Sequence, residues 1–223
     1  MSLSKSVIIA GGGAGTRMGS KIPKQFLLLK NKPVLMHTIQ RFFDYDNNIE
    51  IIVVLPAAQI VYWRELCKEY NFNLQHTTAE GGITRFHSVR NGLAAIKTDG
   101  LTAVHDAVRP LVSMETISNC FETAVEKNAV VPVIELTESL RIISGEDSTS
   151  CNRDLYRLVQ TPQIFKTSIL KKGYKQPYSE IFTDDASVAE SIGENISIVK
   201  GNNENIKITS LKDLIVAEVI MLK

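Results

Sequence analysis

The stretch SVIIAGGGAGTRMGSKIPKQF, residues 6–26, decides the fold. It opens on a short apolar run, Val7, Ile8 and Ile9, that reads as a buried strand. Directly behind it comes a glycine-rich turn that also carries Arg17, Pro23 and Lys24. A buried strand that empties into such a loop is how an open α/β sheet begins, and ligands of such sheets bind in the loops beyond the strand ends.

The rest of the chain continues the same alternation. EIIVVLP (50–56), LTAVHD (101–106) and AVVPVIE (129–135) are further apolar runs of strand length. Between them, PVLMHTIQRFF (33–43), AAQIVYWRELCKEY (57–70), ITRFHSVRNGLAAI (83–96) and METISNCFETAVEKN (114–128) repeat apolar residues at helical spacing. This predicts a doubly wound α/β sheet with right-handed crossovers, the class to which Rossmann-like, mixed but mostly parallel sheets belong. The pattern breaks near residue 136. SLRII, a polar turn around Gly145 and DLYRLVQTP then predict an extended hairpin arm at about 136–158. Such an arm has little core of its own, and a second copy of the chain is its simplest partner. Beyond it follow FKTSILKKGYKQ, TDDASVAESIG, a strand ISIVKG (196–201), NIKIT (205–209) and a closing helix capped by Ser210. The expectation is a single domain over 1–223 with the arm as an appendage.

Composition narrows the class of function. With 223 residues, 44% hydrophobic, 22% charged and a net charge of +1, the chain can bury its own core. The near-neutral balance argues against an extended nucleic-acid surface. No apolar run approaches the length of a membrane span, and no signal peptide is evident, so a cytoplasmic protein is expected. Cys67, Cys120 and Cys151 are widely spaced, which suggests buried reduced thiols rather than disulfides or a zinc site.

The opening loop fails both familiar phosphate motifs. No Gly-Lys-Ser/Thr occurs, and Met18 stands where G-x-G-x-x-G needs its third glycine. What remains is a turn whose backbone N–H groups can crowd around phosphate oxygens, with Arg17 as a bidentate fork and Lys24 as a point charge. Pro23 stiffens the approach of Lys24.

GAGTRMGSKIPKQF (13–26) resembles the signature of the 2-C-methyl-D-erythritol 4-phosphate cytidylyltransferases. The resemblance continues, in the family's order, through EGGITRFHSVRNGL (80–93), VHDAVRP (104–110), NRDLYRLVQTPQIF (152–165), TDDASVAE (183–190) and VKGNNENIKIT (199–209). It implies that CTP and methylerythritol 4-phosphate give a CDP-alcohol and pyrophosphate, with Mg²⁺ and in a homodimer joined through the β-arm. Because the nucleophile is already an anionic phosphate, positive charge and positioning are the chemistry required. The resemblance assigns transition-state stabilisation to Arg17 and Lys24, and the attacking phosphate to Arg153 and Lys207. Ala10, Gly11, Gly12, Gly13, Ala14 and Gly15 would surround the CTP phosphates. Gly81, Gly82, Arg85 and Ser88 match the cytosine-reading block.

The resemblance places Asp106 and Ala107 beside the substrates, where Asp106 would position either Mg²⁺ or substrate hydroxyls. Arg109 either contacts the sugar phosphate or braces its loop, and His105 is expected to be structural. Ser139 stands where the family's arm often places a threonine against the substrate. The chain also departs from the family. Ile83 follows the paired glycines where some relatives have Asp, and A-G-G-G-A-G before Arg17 is a form also seen in ribitol 5-phosphate cytidylyltransferases. Ribitol 5-phosphate is therefore the alternative substrate, although TDDAS and the arginine ahead of QTPQ resemble the methylerythritol branch. A catalytically silent nucleotide-binding protein is the reading from a different class.

Overall fold

Apolar strands bounded by turns pair in parallel once amphipathic helices cover both faces of the sheet. The computed structural model shows this arrangement and describes residues 3–12 and 22–222. After β1 (Ser4–Ala10) come a small ribbon of β2 (Leu28–Leu29) and β3 (Lys32–Pro33), then α1 (Val34–Tyr45), β4 (Glu50–Leu55) and α2 (Ala57–Glu69). They are followed by β5 (Thr77–Glu80), α3 (Arg85–Ala95), β6 (Gly100–Asp106), α4 (Met114–Lys127) and β7 (Ala129–Ile134). The last third contains β8 (Leu140–Ser144), β9 (Asp147–Cys151), β10 (Leu158–Val159), β11 (Gln163–Lys166), α5 (Thr167–Gly173), α6 (Asp185–Glu190), β12 (Ser197–Lys200) and α7 (Leu211–Ile220).

In the main sheet β1 lies between β4 and β6, parallel to both, and β5 extends the β4 side. On the other side β11 runs antiparallel to both β6 and β7, β10 continues along the same flank of β7, and β12 joins β7 in parallel. The chain therefore reverses its direction of winding between β1 and β6, with Ala10 in register with Asp106. That switch point is where an open sheet leaves a crevice.

Strand residues alternate between two cores. Val7, Ile9, Ile51, Val53 and Leu55 pack with Leu35, Ile39, Phe42, Trp63 and Phe121, whereas Ile8, Ile52 and Val54 pack with Val89, Leu93, Leu170 and Val188. This period of two is the pleat of a sheet covered on both faces.

The predicted strands and helices form within a few residues of the expected bounds, and Ser210 caps α7 by accepting the Asp213 N–H at 3.2 Å. Three expectations are refined. NIKIT is not a strand: residues 205–209 have no ladder, and Ile208 N–H bonds Val108 O at 2.9 Å. The arm is a hairpin with Gly145 at φ +63° in its turn, but Leu140–Ser144 pairs with Asp147–Cys151 and not with DLYRLVQTP, whose Leu158 and Val159 instead join β7; it also presents Ile142 and Ile143 to solvent rather than a wholly polar surface. Of the cysteines, Cys120 is buried while Cys67 and Cys151 are half-buried, and all three are free thiols. Among the described residues no helix is long and apolar enough to cross a membrane.

Buried polar groups on β6 are paired, as burial requires. Thr102 Oγ1 meets Ser6 Oγ at 2.9 Å and Thr167 Oγ1 at 2.8 Å. His105 is fully buried, with Nδ1 3.0 Å from Thr161 Oγ1 and Nε2 3.0 Å from the Arg109 carbonyl. The Arg109 carbonyl can only accept, so Nε2 carries the ring proton and donates it there, and Nδ1 of the neutral ring accepts the Thr161 hydroxyl proton while Thr161 Oγ1 accepts the Asp106 N–H. His105 is thus neutral and structural. Burial lowers its pKa to about 4, with the neighbouring Arg109 and Lys207 charges acting the same way. Between pH 6.5 and 4 the unfolded chain binds a proton that folded His105 refuses, so stability falls as the pH is lowered. His37 and His76, lowered by burial as well, add to the same slope. The His105 contribution is about 2 kcal/mol between pH 7.5 and 5. Urea unfolding at both pH values should show this loss, and His105→Gln should flatten it. Equal slopes in the two proteins would show that another group carries it.

Candidate active site

The crevice at the switch point is a cleft of about 460 Å³ walled by the ends of β1 and β6, the turn before α3 and the segment before α7. Ala10, Gly11, Gly12, Lys24, Gly82, Arg85, Ser88, Asp106, Ala107 and Lys207 all line it. A larger hollow of about 760 Å³ lies at the ends of β7 and β12, near the foot of the arm. Its charged lining mixes Glu115, Glu135 and Glu204 with Arg157 and Lys200, whereas the smaller cleft sets cations against one carboxylate beside glycine backbone. The smaller cleft is therefore the site suited to a polyanion.

Backbone contacts build its floor. Gly11 N–H bonds Val54 O at 2.8 Å and Gly81 N–H bonds Leu55 O at 2.8 Å, so both turns hang from β4. A side chain at Gly12 would collide with Ser88 Oγ, which requires glycine there. Ser88 Oγ accepts the Gly82 N–H at 3.0 Å and donates to Thr84 O at 3.0 Å. Its hydroxyl thus shapes the turn that would face a base. Thr84 caps α3, and Ile83 is 91% exposed at the mouth.

The charged groups are held in two knots. Arg85 makes a bidentate pair with fully buried Asp185, with Nη1 on Oδ1 at 2.9 Å and Nη2 on Oδ2, and Tyr174 Oη donates to the same Oδ1 at 2.6 Å. Burial opposes the guanidinium charge, but the carboxylates of Asp185 and Asp106 more than offset it and raise the pKa. Arg85 therefore anchors the start of α3 to α6. The second knot is Asp106, whose Oδ2 receives Arg109 Nε at 3.0 Å and Lys207 Nζ at 3.0 Å. Burial would push its pKa up; Lys207, Arg85 and Arg109 instead hold it well below the usual carboxylate range. Arg109 also donates to Asn205 O at 2.7 Å, a contact that braces its loop.

Lys24 opens a short helical turn, Lys24–Phe26, whose end is fastened by Phe26 against Tyr62 and Trp63. Gln25, to which the sequence alone assigns no role, is 1% exposed; its Nε2 donates to Gln59 Oε1 at 2.6 Å and to Gly11 O at 3.3 Å. Asp185 is likewise visible in TDDAS without an assigned contact. The signal for both is a polar residue inside a matching block, but their partners are 34 and 100 residues away in the chain.

Other expected residues lie elsewhere. Gly13, Ala14, Gly15 and Arg17 fall outside the described residues. Arg153 and Ser139 do not line the cleft of the same chain. Both belong to the arm region, where Ser139 is exposed and Arg153 Nη1 donates to Thr137 O. Among the described residues no three His, Cys, Asp or Glu side chains cluster for a metal. A lone carboxylate such as Asp106 still fits a hard cation that draws its remaining oxygens from polyphosphate and water.

The chain and its fold are similar to those of known proteins. The family profile of IspD, 2-C-methyl-D-erythritol 4-phosphate cytidylyltransferase, matches residues 5–223. A relative of that name from Phocaeicola vulgatus is 51% identical over 219 residues, spanning 98% of this chain and 100% of the relative. One from Bacteroides thetaiotaomicron is 48% identical with the same coverage. The crystal structure of the protein of that name from Thermus thermophilus superposes with a TM-score of 0.79 at 30% identity and covers 100% of both chains. That from Francisella tularensis gives 0.80 at 31% identity, covering 97% of this chain and 99% of its own. The chain belongs to the 2-C-methyl-D-erythritol 4-phosphate cytidylyltransferase family.

Proposed function

We propose that this chain joins CTP to 2-C-methyl-D-erythritol 4-phosphate, giving 4-diphosphocytidyl-2-C-methyl-D-erythritol and pyrophosphate in isoprenoid precursor synthesis. The observation that carries the reading is the convergence of Lys24 and Lys207 with the glycine backbone on one cleft beside Asp106. An oxygen of the sugar phosphate attacks the α-phosphorus, and the bond from that phosphorus to the bridging β-phosphate oxygen breaks. No proton has to be removed from the nucleophile. The task is to hold two anions together and stabilise charge on the nonbridging and leaving oxygens.

Lys24, with Arg17 from the same loop, serves the α-phosphate and the leaving pyrophosphate. Lys207 grips the attacking phosphate. Ala10 and the glycines of the first turn receive the triphosphate, and the backbone of Gly81 and Gly82, shaped by Ser88 and anchored by Arg85, receives the base. Such a role belongs to main chain and so tolerates Ile83. Mg²⁺ suits the site through the triphosphate oxygens and Asp106, and it would neutralise charge on the leaving group. A single domain with a homodimer formed through the arm at 136–158 explains the exposed Ile142 and Ile143, and it is the route by which Arg153 and Ser139 would reach a substrate. Free thiols and a nucleotide substrate suit the cytoplasm.

Pyrophosphate release with CTP, Mg²⁺ and each sugar phosphate tests the reaction: release is expected with methylerythritol 4-phosphate. Release with ribitol 5-phosphate alone would overturn the substrate assignment, and release with neither the enzyme reading. Lys24→Ala should lower turnover about 100- to 1,000-fold with an unchanged melting temperature; near-normal turnover would remove Lys24 from the chemistry. Ile143→Asp should shift the protein from dimer to monomer in light scattering, and a dimer that survives would place the interface elsewhere.

A further inference from the structure

We infer that Asn205 is the positioning residue for Lys207: it pins a segment without secondary structure so that the ammonium meets Asp106. The inference rests on the reading of Lys207 as the cation that holds the attacking phosphate. Between β12 and α7 the chain runs through residues 201–210 without a strand or helix, so nothing regular sets the place of Lys207. Two anchors bracket it. Asn205 and Ile208 are both 0% exposed, while the Lys207 side chain between them is 41% exposed.

The Asn205 bonds lead back to the site. Its Nδ2 donates to Thr161 O at 2.8 Å and to Gln160 Oε1 at 3.3 Å. Thr161 also receives the Asp106 N–H on its hydroxyl at 3.1 Å. One residue therefore references both the segment that carries Lys207 and the strand end that carries its partner carboxylate. On the opposite side the Asn205 carbonyl accepts from Arg109 Nη1, and Arg109 Nε bonds the same Asp106 oxygen that Lys207 does. The contacts close a ring: Asn205, Arg109, Asp106, Lys207, and back along two residues of chain. Asn205 Oδ1 is buried with no hydrogen-bond partner among the described residues, so the side chain acts through its Nδ2 donor. A misplacement of about 1 Å in such a constellation costs up to about 100-fold in rate.

A double-mutant cycle on the full-length enzyme tests this, with kcat and both KM values from pyrophosphate release and a melting temperature for each protein. Asn205→Ala should lower kcat/KM for the sugar phosphate about 10- to 100-fold and leave KM for CTP within about twofold. In a Lys207→Ala background the same change should cost nothing further, because the group it positions is gone. An equal loss in both backgrounds, or no loss in the wild type, would overturn the positioning role while leaving the reading of Lys207 intact. A fully active Lys207→Ala would overturn that reading and the inference with it. If Asn205→Ala does not fold, Asn205→Ser and Gln160→Met, which removes one acceptor of Nδ2, enter the same cycle with the same expected pattern.

Discussion

A carboxylate buried at the end of a central strand is costly unless cations answer it, and the site is organised around one such answer. Asp106 shares a single oxygen between Arg109 and Lys207, and these cations come from different parts of the chain. Lys207 approaches from the segment ahead of α7, Arg109 from the turn after β6. Their convergence draws the late part of the chain onto the switch point between β1 and β6. Without the carboxylate, clustered positive charges would repel one another; without the cations, the carboxylate would not remain ionised there.

The same balance explains why the cleft suits two anions. Lys24, Arg85 and Lys207 line it, and Asp185 answers Arg85 from beneath. Asp106 organises the remaining charge without cancelling it. Little of the catalysis asked of this site is proton transfer, so fixed charge at fixed distance is the quantity the fold must deliver. Hydrogen bonds from side-chain amides supply the rigidity. Gln25 ties the Lys24 turn to Gly11, and Asn205 ties the Lys207 segment to Thr161.

Much of the architecture was legible in the chain. The runs at 6–10, 50–56, 101–106 and 129–135 are strands because continuous β-branched residues can be buried on both faces, and the segments between them are helices because their apolar positions recur at helical spacing. The hairpin arm was legible from its break in that alternation and from Gly145. NIKIT shows the limit. Its alternating apolar residues imitate a strand, but Ile206 and Ile208 pack beneath α7 with Leu29 and Val108 and pair with no strand.

The sequence by itself determined the class of sheet and the family, because strand burial, helical period and ordered blocks are properties of neighbouring residues. Only the tertiary structure decided which cations share a site. Arg85 meets Asp185 across 100 positions, and Asn205 meets Thr161 across 44. Those pairings follow from how the sheet is wound, which local spacing does not encode. They also separate Lys207, which meets Asp106 within one chain, from Arg153, which bonds the Thr137 carbonyl outside the cleft lining.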